Sequence, residues 1–387
     1  MVTVNDRPLF TTYPALQERV PFVALADLPT PLAPMPALSA ELGAEVWVKR
    51  DGLTHSLYGG NKIRKFEFVF GDILRKRARV VLTGGGLGSH HTLALAVVAQ
   101  QLGLQAVCSY YCQPVSDEVR HNLRQSVPLE IDAHFCGDYV GLGTSFAAQY
   151  LRWLLRSRRP PYFVYPGAPN VLGTIGYVNA ALEIEAQLQE MNVPEPDYVY
   201  VAVGSCGTFA GLILGARLAG LDSRIVGVRV IEDDVANSPK IARIATKTAR
   251  YLKRRDPTVP GVKVGADEVE LVDGYLGPGY AHPTANGLAA VELVQRTEGL
   301  PLETTYTGKA MAALIDHARR EPGGRFLFVD TFTEAEGPAE GDYRALPERF
   351  WPVFDPEHEV GCWCLRAQRE AGFCWKEQRP PIEGCPK

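Results

Sequence analysis

Apolar positions along the chain change period at regular intervals. The segment EVWVKRD at 45–51 alternates as a strand does, whereas NKIRKFEFVFGDILRKR, starting at residue 61, spaces its apolar residues as a helix does. Gly59 and Gly60 stand between them. ARVVLTGGG reads as a buried strand running into glycines, and SHHTLALAVVAQQLGL as an apolar helix that stops near Gly103. The alternation continues with QAVCSYYC as a strand, VSDEVRHNLRQS as a helix and LEIDAHFC as a strand. GTSFAAQYLRWLLRSRR is then a long amphipathic helix ending in the basic residues its dipole favours. After PYFVYPGAPN come a helix in GTIGYVNAALEIEAQLQEM, a strand, glycine turn and helix in PDYVYVAVGSCGTFAGLILGARLAG, and a strand in RIVGVRVIE. This succession predicts an α/β fold of mostly parallel sheet covered by helices on both faces, with ligands at the carboxyl ends of the strands. From Pro347 onward the pattern fades, so about the last forty residues read as an appendage.

Composition narrows the class. A chain of 387 residues, 46% hydrophobic and 22% charged, is ordered and long enough for two packed domains. A net charge of −4 provides no broad basic field, which argues against nucleic acid or an anionic membrane surface as partner and for a small molecule. No window approaches the ~20 apolar residues of a membrane span, and MVTVNDRPLFTTYP lacks the basic start and apolar core of a secretory signal. The expected location is the cytoplasm. In that reducing compartment Cys108, Cys112, Cys136 and Cys206 are expected as thiols. The remaining cysteines, Cys362, Cys364, Cys374 and Cys385, are spaced C-x-C with gaps of nine and ten, unlike the paired spacing of a structural zinc site, and no metal is expected.

Three loops carry candidate chemistry. Tyr58-Gly59-Gly60-Asn61-Lys62 presents a lysine at the mouth of a helix, and with Arg64 and Lys65 close by it reads equally as a solvated basic face. A nucleophilic lysine must shed its proton, which takes desolvation or a cationic neighbour. Thr83-Gly84-Gly85-Gly86-Leu87-Gly88-Ser89-His90-His91-Thr92 delivers Ser89 to a helix N-terminus, where backbone N–H groups and the dipole suit an anion, although a simple N-cap accounts for Ser89 as well. Its G-x-G-x-x-S spacing and the absence of an acidic residue about 20 positions later exclude the dinucleotide fingerprint. His90 and His91 are adjacent, so on a helix they diverge and cannot share a metal. Gly204-Ser205-Cys206-Gly207-Thr208, between a strand and a helix, suits a monoester phosphate, and without a P-loop lysine it disfavours ATP and GTP.

Taken together and in order, these loops resemble the ACC deaminase and D-cysteine desulfhydrase family of pyridoxal 5′-phosphate (PLP) enzymes, of the tryptophan-synthase-β-like fold type II. The resemblance runs over about residues 20–335, through KRDGLTHSLYGGNKIRK, TGGGLGSHHT, PNVLGTIGYVNAALEI, VAVGSCGTFAGL and GPGYAHPTANGLAAVELVQRTEGLPLETTYTGKAMAALID. It implies a large domain of residues 1–62 with 169–345 and a small domain of 63–168 with Lys62 at the cleft, and it leaves residues 346–387 as a C-terminal extension that it does not explain. It makes Lys62 the Schiff-base lysine with Asn61 beside it, and Gly204, Ser205, Cys206, Gly207 and Thr208 the phosphate cradle. Ser89, with the backbone of His90 and His91, falls where the family binds the substrate carboxylate. Tyr280 and Tyr306 match active-site tyrosines that position the amine or move protons near Cβ.

The implied reaction is α,β-elimination on a small amino acid, of the D-cysteine desulfhydrase or cysteate sulfo-lyase kind, giving a keto acid and ammonia in a homodimeric enzyme. The Glu that follows the YxGK tyrosine in ACC deaminases is Thr307 here, while Thr331 of FVDTFTEAEG matches the threonine that desulfhydrase-like members place against the pyridine, so elimination is favoured over ring opening. The chain departs from the pattern at His55, at His90, which replaces an asparagine lying against the cofactor, and at Asp330-Thr331-Phe332-Thr333, which replaces HTGG. Those departures keep three alternatives open: ACC deaminase, a β-replacement synthase, and a catalytically silent ligand-binding member of the fold.

Overall fold

The computed structural model describes residues 7–355. Cys362, Cys364, Cys374 and Cys385, with the rest of the tail, lie outside them. The described residues form two compact units: residues 7–75 with Gly167–Glu336, and Lys76–Pro166 with residues 337–355.

The first unit is built on a six-stranded sheet in the order β1-β2-β10-β7-β8-β9, comprising β1 (Leu32–Pro34), β2 (Glu45–Arg50), β7 (Tyr198–Val203), β8 (Arg224–Arg229), β9 (Glu270–Val272) and β10 (Arg325–Asp330). The β1–β2 pair is antiparallel, and the pairs β2–β10, β10–β7, β7–β8 and β8–β9 are parallel. Its helices are α1 (Pro8–Thr12), α2 (Ala15–Arg19), α3 (Pro36–Leu42), α4 (Asn61–Arg75), α8 (Val171–Met191), α9 (Gly207–Ala219), α10 (Ser238–Arg255), α11 (Ala285–Glu298) and α12 (Thr307–Ala318). Side chains alternate across the sheet. Val199, Val201, Val203, Leu327 and Val329 pack with residues of α8, α9 and α10, whereas Tyr198, Tyr200, Ala202, Phe326 and Phe328 pack with residues of α3, α11 and α12. Every residue of β7 is therefore buried, which is why YVYVAV carries no polar face.

The second unit has a parallel four-stranded sheet in the order β5-β4-β3-β6, from β3 (Val80–Gly86), β4 (Gln105–Tyr111), β5 (Asp132–Gly137) and β6 (Tyr162–Phe163). Helices α5 (His90–Gln101), α6 (Asp117–Ser126) and α7 (Tyr139–Ser157) connect its strands. The segment following Gly337 returns to this unit. Phe350 is fully buried against the rings of Tyr110 and Phe135, and Arg120 Nε of α6 donates to the Val353 carbonyl at 3.0 Å. Among the described residues no helix is long and apolar enough to cross a membrane.

Helix α4 overturns one of the two readings its basic run allowed. Arg64 and Lys65 are at most 1% exposed. The Arg64 guanidinium lies between Asp51, at 2.8 Å, and Glu183 of α8, also at 2.8 Å. Lys49 reaches Glu183 at 2.6 Å and the Tyr177 hydroxyl donates to Asp51 at 2.6 Å. Buried charges persist only when paired and hydrogen-bonded, and these partners come from elements distant in sequence.

Candidate active site

The second residue of α4 is Lys62, and the turn before it is shaped by two glycines. Gly60 has φ of 92°, and a Cβ there would stand 2.8 Å from the Thr331 carbonyl oxygen; a Cβ on Gly59 would run into the carbonyl of Gly52. The chain passes this close to β10 only without side chains, and the Asn61 N–H then donates to the Thr331 carbonyl at 3.3 Å. Lys62 Nζ donates to Asn61 Oδ1 at 2.5 Å, and Asn61 Nδ2 donates to Thr208 Oγ1 at 3.3 Å. Asn61 thus links the amine to the Gly204–Thr208 turn. Lys62 as a residue is half-buried, yet burial of its amine pushes the pKa down to about 8 against the opposing pull of the Glu303 carboxylate.

The turn itself presents groups that suit an anion. Strand β7 ends at Val203, Cys206 adopts φ of 73° as the residue ahead of α9, and the first N–H groups of a helix have no acceptor within it. The Cys206 thiol is turned away, with Sγ against the carbonyls of Gly204 and Val235, so it serves the turn through its backbone. Ser205 Oγ donates to the Gly167 carbonyl at 3.2 Å. Lys65, on which the sequence alone placed no role, donates to the same carbonyl, and a Cβ on Gly207 would stand 3.0 Å from its Nζ. Burial, reinforced by the charge of Lys62, holds the Lys65 amine well below its usual range. An anion at this turn would reverse that shift. The available signal was spacing: Lys65 lies three positions after Lys62, on the same side of the helix.

Two tyrosines close this part. The hydroxyls of Tyr280 and Tyr306 are 2.6 Å apart, and a Cβ on Gly204 would stand 3.0 Å from the Tyr306 ring. Tyr306 is held from behind by Glu303, which accepts from the N–H groups of Thr305, Tyr306 and Thr307 at 2.6–2.8 Å, a carboxylate at the start of α12 where the dipole favours it. Thr307 is therefore part of a buried cap, bonded through Oγ1 to Glu303. Lys309, also buried, donates to the Leu276 carbonyl at 2.7 Å and pins the loop that carries Tyr280. Thr331 follows the last residue of β10, and Asp330 before it is fully buried, with Oδ2 lacking a hydrogen-bond partner among the described residues. Burial, with the carboxylates of Glu334, Asp51 and Glu303 adding to it, pushes the Asp330 carboxyl well above its usual range. His55 accepts from the N–H groups of Leu57 and Tyr58 through Nδ1 and braces the same turn.

In the second unit, Ser89 caps α5, accepting from the Thr92 N–H at 3.4 Å. The two histidines diverge: His90 Nε2 lies 2.8 Å from Glu118 of α6, while His91 is buried with Nε2 2.9 Å from Thr83 Oγ1. Burial works to raise the Glu118 carboxyl, but the hydrogen bond and charge of His90 outweigh it, leaving it below its usual range. Among the described residues no group of three or more His, Cys, Asp or Glu is placed to hold a metal ion.

Known proteins resemble this chain in sequence and fold. Residues 23–331 match the family described as pyridoxal-phosphate dependent enzymes. A D-cysteine desulfhydrase of Klebsiella pneumoniae is 35% identical over 328 residues, covering 81% of this chain and 94% of the relative. The crystal structure of an ACC deaminase homologue superposes with a TM-score of 0.71 at 33% identity, over 84% of this chain and 94% of that one. A threonine deaminase isoform of Solanum lycopersicum shares the fold at 15% identity and a TM-score of 0.54, over 86% and 84% of the two chains. The donor set of the first unit fits this cofactor: a poised amine, a turn of N–H groups and hydroxyls for a phosphate, and the buried Lys65 amine at its edge.

Proposed function

The chain belongs to the family of pyridoxal-phosphate-dependent enzymes, and on that premise we propose that it is a lyase removing a group from Cβ of a small amino acid, D-cysteine or cysteate, with release of a keto acid and ammonia. The observation that carries this reading is the Lys62 amine, brought to a pKa of about 8 and linked through Asn61 to the Gly204–Thr208 turn. PLP supplies an aldehyde for that amine and a ring that withdraws electrons from Cα. In this proposal Gly204, Ser205, Cys206, Gly207, Thr208 and Lys65 hold the phosphate, Asn61 and His90 contact the cofactor, and Thr331 meets its ring nitrogen. Ser89 and the backbone of His90 and His91 hold the substrate carboxylate. Lys62 moves the Cα proton, for which an amine titrating near neutrality is suited, and the Tyr280–Tyr306 pair passes a proton to the group leaving Cβ. A cytoplasmic homodimer completes the reading.

Ring opening of ACC is the second reading, supported by the similarity to the ACC deaminase homologue. Product identity separates the two. D-cysteine gives pyruvate, sulfide and ammonia, cysteate gives pyruvate, sulfite and ammonia, and ACC gives 2-oxobutyrate and ammonia. The test is to assay the purified protein with each compound, alongside Lys62→Ala. Elimination products that vanish in the variant support the proposal. A colourless protein that added PLP does not change, or one inert towards all three compounds, overturns it.

A further inference from the structure

Gln113 is a buried polar side chain that the proposed reaction leaves without a task. It lies in the short link between β4 and α6, it is 9% exposed, and its Oε1 is buried with no hydrogen-bond partner among the described residues. Leaving such a group unpaired costs about 1–3 kcal/mol, so an orphan of this kind calls for an occupant. The carboxamide lies across the glycine turn that leads into α5. Oε1 fills the space a side chain would take at Gly86, and a Cβ at Gly88 would stand 3.1 Å from Nε2 and 2.7 Å from Cγ2 of Val119. Glycine at both positions lets the carboxamide lie against the backbone.

The turn closes with the Ser89 N–H donating to the Gly86 carbonyl at 3.0 Å, and the chain enters α5 at the next residue. First-turn N–H groups and the dipole favour an anion there. The surrounding link is braced, since Asn122 Nδ2 of α6 donates to the Gly88 carbonyl at 3.0 Å. The carboxylate of Glu118, also on α6, is paired with His90 at 2.8 Å. A carboxamide presents its oxygen or its NH2 by a half turn about the last torsion, so the same side chain can serve as a donor.

We infer that Gln113 is a substrate-binding residue whose carboxamide NH2 donates to the carboxylate of the bound amino acid beside Ser89. This rests on the function proposed above, and it adds a contact from outside the Ser89 loop. The experiment uses the full-length PLP-loaded protein and two probes, each enantiomer of alanine and, as the analogue without a carboxylate, ethylamine. Binding is followed by the change in the visible absorption of the cofactor. Gln113→Ala should weaken alanine about 10- to 100-fold, the worth of a hydrogen bond to a charged group, and move ethylamine by less than about twofold. Gln113→Glu, similar in shape and opposite in effect on an anion, should weaken alanine at least as much. Melting curves confirm that each variant is folded, and Gln113→Asn provides a milder change should the others unfold. Alanine binding within about twofold of wild type in the folded variants, or an equal loss for both probes, overturns the assignment. Wild-type protein that responds to neither probe removes the proposed function, and the Gln113 assignment falls with it.

Discussion

The burial of Lys62 makes a prediction that needs no substrate. With its amine lowered from the usual 10.5 to about 8, about a tenth of it is neutral at pH 7, about 300-fold more than for an exposed lysine. The measurement is competitive acetylation of the cofactor-free protein from about pH 6 to about pH 11, with the Lys62 peptide quantified by mass spectrometry against surface lysines. A labelling midpoint near 8 is expected. Glu303 carries the charge that opposes the shift, so Glu303→Gln, which keeps an acceptor for the α12 N–H groups, should move the midpoint lower. Stability follows by linkage. Between about pH 8 and 10.5 the unfolded chain holds a proton that the folded chain lacks, so stability rises with pH across that window, by about 3 kcal/mol from this group. Below pH 8 that amount opposes folding in full, and Lys62→Met should lack this pH-dependent gain. A midpoint at 10 or above, or one that rises in Glu303→Gln, refutes the reasoning.

Three further outcomes are expected. Lys65→Met should weaken PLP binding about 10- to 100-fold while leaving pyridoxal, which has no phosphate, within about twofold, as read by equilibrium titration; equal losses for both would remove Lys65 from the cradle. Gly60→Ala should cost about 1–3 kcal/mol in urea unfolding, because alanine is strained at φ of 92° and its methyl meets the Thr331 carbonyl. Arg64→Met should cost about 3–5 kcal/mol by leaving Asp51 and Glu183 short of a buried partner, and a loss under about 1 kcal/mol would mean those carboxylates are satisfied without it.

The alternation of strands and helices was legible because period and turn chemistry are local: EVWVKR, VVLTGGG and YVYVAV became β2, β3 and β7, and the glycine turns fell after strands. The three loops were legible for the same reason. Glu303 and Gln113 were not, because their parts depend on groups brought to them by folding, and for Lys65 the only local signal was its spacing of three from Lys62. Lys65 and Arg64 share a stretch with Lys62 that reads as a solvated basic face. Only the arrival of Glu183, 119 positions from Arg64, turns that stretch into a buried network. The appendage expected after Pro347 is likewise partly tied in, by Phe350 between aromatic rings of the second unit.

From its sequence alone, then, this protein declared a mostly parallel α/β chain, the glycine turns and the lysine at the head of a helix, since backbone geometry and periodicity depend on neighbours along the chain. Which of its amines hold their protons less tightly, and which carboxylates and amides are left buried, was decided by tertiary structure. Desolvation depends on what packs across space, and those atoms come from strands and helices far away in the chain.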